Sequence, residues 1–402
     1  MSRPRVMELT HGLTIGSPGV STDRFVFELV HAMDQSRIEP VFGGIYSLDP
    51  AAEQPLIEEL RRHGIPAVLG GRWDPRHPYQ SFARAWWELV RQLRGQRFDI
   101  IHSHFEFADG IALLIAPALH CRTLVRTVHH HGEWRRRPAR RALLTNVLYP
   151  LLYRAEIGVS QQVADALSAR PLARRLGKKG HFICNARDFS RFAAPPVPGI
   201  RERKRQEMGL PTTARMVGAV GRIARQKGYD VLVEAAALVT AQLPDTHLVI
   251  IGEGEQDALR AQALRLGVEH AVHLAGPRND VPQMLQAMDL LASSSLWEGF
   301  PTVILEAMTA RVPVVATDVS GTRDLVENEV TGLLVPVEDP QALAAAIVRA
   351  LQAPDQARSW AETAARRIKD ISIDEVARQY VELYRRILAS DTSHPRILQM
   401  GD

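Results

Sequence analysis

The chain has 402 residues, 46% of them hydrophobic and 23% charged, which is the composition of soluble globular protein and enough length for two domains that each bury a core. Its two cysteines, Cys121 and Cys184, lie far apart at the edges of apolar segments, which excludes a disulfide framework and a Cys-x-x-Cys metal or redox motif. The net charge of +4 hides an asymmetry: residues 1–191 carry 27 Lys+Arg against 18 Asp+Glu, so the N-terminal half is basic and the remainder acidic. No run approaches the roughly 18 apolar residues that span a bilayer, and Met1-Ser2-Arg3-Pro4-Arg5 leads into a strand instead of a signal-peptide core. A cytoplasmic protein is expected.

Residues 5–9 read as a short strand ending at Thr10-His11-Gly12. A loop, Gly16-Ser17-Pro18-Gly19-Val20, then precedes Ser21-Thr22-Asp23, an N-cap region for an amphipathic helix through about Met33. The Gly-x-Gly-x-x-Gly spacing of a dinucleotide fingerprint is absent, which counts against a dehydrogenase. Strands and helices then alternate: Val41–Tyr46, a helix near Pro55–His63, Ala67–Gly70, a helix over Tyr79–Leu93, Asp99–His102, a helix from Phe107, Thr123–Val128, a helix over Ala139–Tyr153 and a strand at Glu156–Val159. Such alternation predicts a parallel sheet covered on both faces, with ligands at the carboxyl ends of its strands. The residues at those ends are His11-Gly12, His102-Ser103-His104 and His129-His130-His131.

A linker follows, with Pro195-Pro196-Val197-Pro198 and the charged run Arg201-Glu202-Arg203-Lys204-Arg205. Beyond it a second unit of the same kind begins: strand Met216–Val220, a loop through Lys227-Gly228, a helix to about Ala241, strand His247–Ile251, Gly252-Glu253-Gly254 and a helix over Gln256–Leu266. Strands Val272–Leu274, Val312–Ala316 and Leu333–Val335 continue it, and helices from Pro340 to about Leu388 close the chain.

The most specific stretch is Trp297-Glu298-Gly299-Phe300-Pro301-Thr302-Val303-Ile304-Leu305-Glu306. Gly299 permits a turn that a side chain would block, and Pro301 suits the first position of a helix. The positive end of that helix faces back toward Glu298 as a seat for phosphate, and Glu306 falls roughly 7 to 8 Å along the axis from Pro301, about the span of a diphosphate. Two carboxylates flanking a phosphate seat suit hydroxyl groups on either side of it, the layout of a nucleotide-sugar. Gly221-Arg222-Ile223-Ala224-Arg225-Gln226-Lys227-Gly228 follows a strand, so Arg222 and Lys227 project from one loop and can neutralise a departing diphosphate without metal.

These stretches resemble the Glu-x7-Glu motif and the Gly-Arg…Lys-Gly loop of retaining, nucleotide-sugar-dependent glycosyltransferases of the GT-B fold, in glycosyltransferase family four. Pro18-Gly19 stands where that family has a Gly-Gly loop, Asn185-Ala186-Arg187-Asp188 where it has Asn-Gly-Val-Asp, and Ser320-Gly321-Thr322-Arg323-Asp324 where it has a Gly-Gly-x-x-Glu turn. The resemblance implies an α/β fold of two doubly wound Rossmann-like domains facing each other across a cleft. Their bounds are an acceptor-side domain over 1–190, a linker over 191–213, a nucleotide-sugar domain over 214–372, and a helix from 373 returning to the first domain before a frayed tail to 402. It also implies that Arg222 and Lys227 stabilise the leaving group, that Glu298 with Gly299, Phe300 and Pro301 holds the sugar, that Glu306 holds the ribose, and that His129 faces the acceptor. Gly252 and Gly19 join the donor-binding set.

The donor is then a nucleoside diphosphate sugar, UDP-linked, and the acceptor a sugar, glycolipid or small molecule, as in cell-surface polysaccharide or glycoside synthesis. No cofactor, metal or nucleic acid is expected. A metal held by His102, His104, Glu106, Glu133 and the triple histidine is the weaker reading, since no motif spacing supports it. Arg135-Arg136-Arg137-Pro138-Ala139-Arg140-Arg141 leads into a partly apolar helix, which suits an anionic membrane surface or equally a solvated basic face. Two other classes stay open: a GT-B sugar-nucleotide epimerase or phosphorylase, and a non-catalytic nucleotide-sugar-binding protein.

Overall fold

The structure, a computed structural model, describes residues 3–13, 21–129, 142–195 and 197–392. Two compact units divide the chain, Met1–Arg187 with Ile373–Asp402, and Asp188–Ser372. Gly19, His130, His131, Glu133 and the arginines from Arg135 to Arg141 lie outside the described residues.

Unit one is built on a seven-stranded sheet in the order β3-β2-β1-β4-β5-β6-β7, its paired strands parallel. The strands are β1 Arg5–Thr10, β2 Glu39–Gly44, β3 Ala67–Leu69, β4 Ile100–Ser103, β5 Thr123–Val128, β6 Ala155–Gly158 and β7 Gly180–Phe182. Every residue of β4 and β5 is buried, because helices cover both faces and no strand position meets water. The covering helices include α1 Ser21–Ala32, α2 Pro50–Arg62, α3 Pro78–Leu93 and α4 Glu106–Ile115. Asp49 caps α2, its side chain accepting from the Ala51 and Ala52 amides. Arg126 is fully buried within β5, yet it is satisfied: Asp109 from α4 lies 2.8 Å away, Glu156 from β6 3.0 Å away, and its guanidinium stacks 4.0 Å from the Tyr149 ring centroid.

Unit two carries a six-stranded parallel sheet in the order β10-β9-β8-β11-β12-β13. Its strands are β8 Arg215–Val220, β9 Thr246–Ile251, β10 Val272–Gly276, β11 Leu290–Ser293, β12 Val314–Thr317 and β13 Leu333–Val335. Helices α5 Tyr229–Gln242, α6 Thr302–Thr309 and α7 Pro340–Gln352 pack against this sheet. In both sheets the order reverses beside the first strand, the doubly wound pattern whose switch point holds ligands. The α/β class with two Rossmann-like sheets is thus the one expected.

Some elements differ from the sequence reading. The stretch 191–213, read as a linker, contains a helix at Ile200–Glu207. Its sequence is so charged that no apolar stripe announces it. Arg205 fastens it to unit two instead, donating to the carbonyls of Ala214 and Ala287, each at 2.9 Å, and to Asp289 at 2.7 Å. Strands β7 and β11 are only three and four residues long, too short for a periodic signal. The final helix, α8 Ile373–Thr392, belongs to unit one, where it packs on α1, and Arg37 pairs with Glu382 at 3.0 Å.

Candidate functional site

At the carboxyl end of β8 the chain turns through Gly221 into the loop that carries Arg222, Gln226 and Lys227, and α5 then begins after Gly228. Gly228 has φ +56°, and a Cβ there would stand 2.4 Å from the Ser294 carbonyl, so only glycine allows the loop to close on the chain leaving β11. Ser294 completes that closure by donating from its hydroxyl to the Lys227 carbonyl at 2.8 Å. Gly252, at the end of β9, is equally constrained: a Cβ there would lie 1.9 Å from the Gly221 carbonyl. The Ile223 amide donates across to the Glu253 carbonyl at 2.7 Å.

The chain leaving β11 runs Ser293-Ser294-Ser295 and then Trp297-Glu298-Gly299-Phe300-Pro301 into α6. Helix α6 starts one residue later than expected, at Thr302, with Pro301 as the extended residue preceding it and no side chain capping its first turn. Glu298 is buried to 7% exposure and is gripped from three directions. Lys227 Nζ lies 2.6 Å from its Oε1, the Ser295 hydroxyl donates to the same oxygen at 2.7 Å, and Gln226 Nε2 reaches Oε2 at 3.3 Å. Gln226 also donates to the Trp297 carbonyl at 3.0 Å, and Thr317 from β12 donates to the Ser295 carbonyl at 2.6 Å. Behind the turn, Gly321 packs so closely that a Cβ on it would lie 2.1 Å from the Gly299 carbonyl.

The electrostatics follow from this placement. Lys227 compensates the buried Glu298 carboxylate, while Arg222 is exposed and makes no ion pair among the described residues. The Tyr229 phenol, donating to the Gly221 carbonyl at 3.2 Å, has its pKa raised by burial and by the nearby negative Glu298. Glu306, on α6, is buried to 4% exposure. The structure therefore gathers Lys227, Glu298, Gly252, Gly299, Phe300 and Pro301 around facing turns of one unit, with Arg222 at their margin. Gln226, Ser295 and Thr317 were missed by the sequence reading. The triple serine before Trp297 is a signal for Ser295 alone, since consecutive small hydroxyl residues at a strand end suit a loop tied by its own side chains.

In unit one, His129 follows the last residue of β5, and the Asn185 amide lies 3.2 Å from its Nδ1. His102 and His104 form no group with Glu106; they converge on Glu8 of β1. His104 Nε2 is 2.7 Å and His102 Nδ1 3.2 Å from Glu8 Oε2, and all three side chains are fully buried. Tyr384 of α8 donates to Glu8 Oε1 at 2.6 Å, and its oxygen stands 2.5 Å from His102 Nδ1. Thr127 lies 2.8 Å from His102 Nε2 and 3.1 Å from the Tyr380 hydroxyl. Burial would raise the Glu8 pKa, but attraction to His102 and hydrogen bonds from both histidines outweigh it and hold the carboxyl at about 2. Burial brings His104 down to about 4, with His102 adding to the effect and Glu8 opposing it. The potential metal-binding atoms lie within 4.8 Å of one another, but they are already joined in a hydrogen-bonded network with Tyr384 and Thr127.

Comparison with known proteins places the chain in a family. The family model of glycosyl transferases group 1 matches residues 200–367, and that of glycosyltransferase family four matches residues 22–191. A D-inositol 3-phosphate glycosyltransferase of Corynebacterium urealyticum is 30% identical over 318 residues, covering 73% of this chain and 72% of its own. An Escherichia coli UDP-Gal:alpha-D-GlcNAc-diphosphoundecaprenol alpha-1,3-galactosyltransferase is 27% identical, over 65% of this chain and 68% of that one. In fold, the chain is similar to the crystal structure of HepE from Anabaena in complex with UDP and glucose, with a TM-score of 0.78, 22% identity, and 96% and 100% of the two chains covered. Sequence, motif geometry and fold lead to one conclusion: this chain belongs to glycosyltransferase family four, the glycosyl transferases group 1 of the GT-B fold.

Proposed function

We propose that the protein transfers a hexose from a nucleoside diphosphate donor, UDP-linked, to an acceptor hydroxyl with retention of anomeric configuration. The observation that carries this reading is the pairing of Lys227 with a buried Glu298 at 2.6 Å, next to an uncapped helix start. A cation, a carboxylate and a helix N-terminus together suit a ligand that is anionic at one end and hydroxylated at the other. Glu298 and the Gly299 and Phe300 backbone hold the sugar, Glu306 the ribose diol, and Arg222 and Lys227 the diphosphate. His129 meets the acceptor. In the transfer, the acceptor oxygen bonds to the anomeric carbon on the face from which the diphosphate departs. The electron pair of the breaking C–O bond goes to the leaving phosphate oxygen, and that phosphate takes the acceptor proton. Arg222 and Lys227 neutralise the developing charge in place of a metal. The similarity to the Escherichia coli UDP-Gal galactosyltransferase and to a neighbour crystallised with UDP and glucose supports the choice of nucleotide.

The acceptor side is proposed to work at the inner surface of a membrane. No helix of the described residues is long and apolar enough to cross one. The helical stretch Leu144–Leu152 and the residue before it nevertheless expose Leu143, Val147, Leu151 and Leu152, each 39% or more accessible, beside a run of arginines in the sequence. An apolar stripe next to basic residues is the composition that seats a protein on anionic lipid.

The test of the donor reading is a thermal-shift panel of UDP-, GDP- and ADP-sugars, because a ligand that binds only the folded state raises the melting temperature. A rise with UDP-sugars alone is expected. No shift with any of them overturns the reading.

A further inference from the structure

Two features of unit one have no part in the donor site. The first is a cluster of rings at the carboxyl ends of adjacent strands, where an open α/β sheet binds its ligands. His11 follows β1, Tyr46 β2, Trp73 β3 and Phe105 β4. Ring centroids are 5.3 Å apart for His11 and Tyr46, 4.8 Å for Tyr46 and Trp73, and 5.6 Å for His11 and Phe105. Tyr46 is buried, while His11, Trp73 and Phe105 are half-exposed and so form a shelf.

The second feature is a groove of about 500 Å³ at the open edge of the same sheet, between α2 and α3. Its apolar surface comes from Ile57, Leu69 and Trp87, and its polar groups include Gln54, Arg84 and Gln92. Shelf and groove adjoin: the Trp73 amide donates to the Ser47 carbonyl at 3.1 Å, the Ser47 amide donates to the Gly71 carbonyl at 3.3 Å, and Ser47 and Gly71 both line the groove.

The chemistry of the groove selects its occupant. Trp87 is 61% exposed, on the side of α3 away from the core-facing Ala85, Leu89 and Leu93, so its indole offers an uncovered face. The carboxylates of the groove are already engaged. Glu53 accepts from the Ser47 hydroxyl at 2.7 Å and from the Leu48 amide at 2.6 Å, and Glu88 is paired with Arg91. Gln92 donates to the Leu69 carbonyl at 2.9 Å and to Glu88 at 3.0 Å, which holds its amide, and the exposed Gln54 donates to Glu58 at 2.9 Å, while neither amide oxygen accepts a bond among the described residues. An open aromatic face with neutral amides beside it suits a ring that is apolar on its C–H face and hydroxylated at its rim. A phosphate would need more than the one guanidinium of Arg84, and a lipid tail would find too many polar groups.

We propose that this groove is a saccharide subsite, taking a neutral hexose unit of an oligosaccharide acceptor whose reacting end lies on the aromatic shelf. The assignment deepens the transfer reading and rests on it for the identity of the occupant. Affinity electrophoresis of the full chain in gels containing dextran, yeast mannan or galactomannan tests it. At least one polysaccharide should retard the protein. Trp87→Ala should weaken the retardation about tenfold or more, Gln92→Ala should weaken it less, and Tyr79→Ala, at an exposed aromatic of the same helix outside the groove, should leave it unchanged. Failure of all three polysaccharides to retard the wild-type chain, or equal retardation of Trp87→Ala, overturns the subsite. Melting temperatures with and without UDP, measured on the same samples, separate the two readings. A UDP shift without retardation removes the groove and keeps the donor site, and retardation lost in Trp87→Ala without a UDP shift does the reverse.

Discussion

The Tyr384 hydroxyl donates to Glu8 Oε1 at 2.6 Å and so ties the final helix to the first strand across 376 positions of sequence. Glu8 and His104 share this buried network, and both have folded pKa values below their ordinary ones, about 2 against 4.5 and about 4 against 6.5. The unfolded chain therefore binds more protons than the folded one as pH falls through 6.5 and again through 4.5. Stability should be full above about pH 6.5 and decline toward pH 2, by an amount on the order of 3 kcal/mol for either group. Melting temperatures across this range should fall steadily in the wild type, and Glu8→Gln should lose the part of the fall that the Glu8 carboxyl contributes below about pH 4.5 while keeping the part that begins at pH 6.5. Tyr384→Phe should cost about 1.5 to 3 kcal/mol at neutral pH, the worth of a hydrogen bond to a charged group. A profile that stays flat from pH 6.5 to 4 contradicts the network.

Glu306→Ala should weaken UDP binding by about 1.5 to 3 kcal/mol, because a ribose diol loses a charged acceptor. Calorimetric titration of UDP into the folded variant measures it. Unchanged affinity removes Glu306 from the nucleotide site.

Transfer activity should survive EDTA if, as proposed, Arg222 and Lys227 supply the positive charge opposite the diphosphate. Lys227→Met should lower kcat by about 10²- to 10³-fold, the usual loss when one charge-stabilising group is removed. Activity abolished by EDTA and restored by a divalent ion would instead direct attention to Glu8, His102 and His104.

Gly321→Ala should disturb the Gly299 turn, proposed to hold the sugar, without touching any ligand itself. Its added methyl meets the Gly299 carbonyl, which is backbone and must shift as a whole. Overpacking of this kind costs about 1 to 3 kcal/mol. A lower melting temperature and a higher KM for the donor are expected. Wild-type values for both would show that the turn tolerates displacement.

Liposomes containing anionic lipid should co-sediment the protein at low salt and release it as salt rises, at about 1 kcal/mol per basic residue near the surface. Neutralising Arg135, Arg136, Arg137, Arg140 and Arg141, or replacing Leu143 and Val147 by Ser, should each weaken binding. A protein that stays in solution at low salt overturns the membrane reading.

The sequence alone determined the α/β class, two sheets and the glycine-bearing loops that follow β8 and β11, because these depend on local chemistry. Apolar strands alternating with helical periodicity specify a doubly wound sheet. Glycines at strand ends and the Glu298-to-Glu306 spacing mark turns by their own backbone chemistry, although what those turns pack against, as Gly228 against Ser294, lies far along the chain. Only the tertiary structure decided which distant groups meet. Lys227 and Glu298 are 71 positions apart and become partners because β8 and β11 are adjacent in the sheet. The charged helix Ile200–Glu207 read as a linker because the Ala214 and Ala287 carbonyls and the Asp289 carboxylate that hold Arg205 come from elsewhere in the unit. His102 and His104 read as possible metal ligands until β1 brought Glu8 between them and α8 brought Tyr384. Hydrogen bonds and ion pairs act over a few ångströms of space, whatever the separation along the chain, so a buried polar residue acquires its role only when the fold supplies its partner.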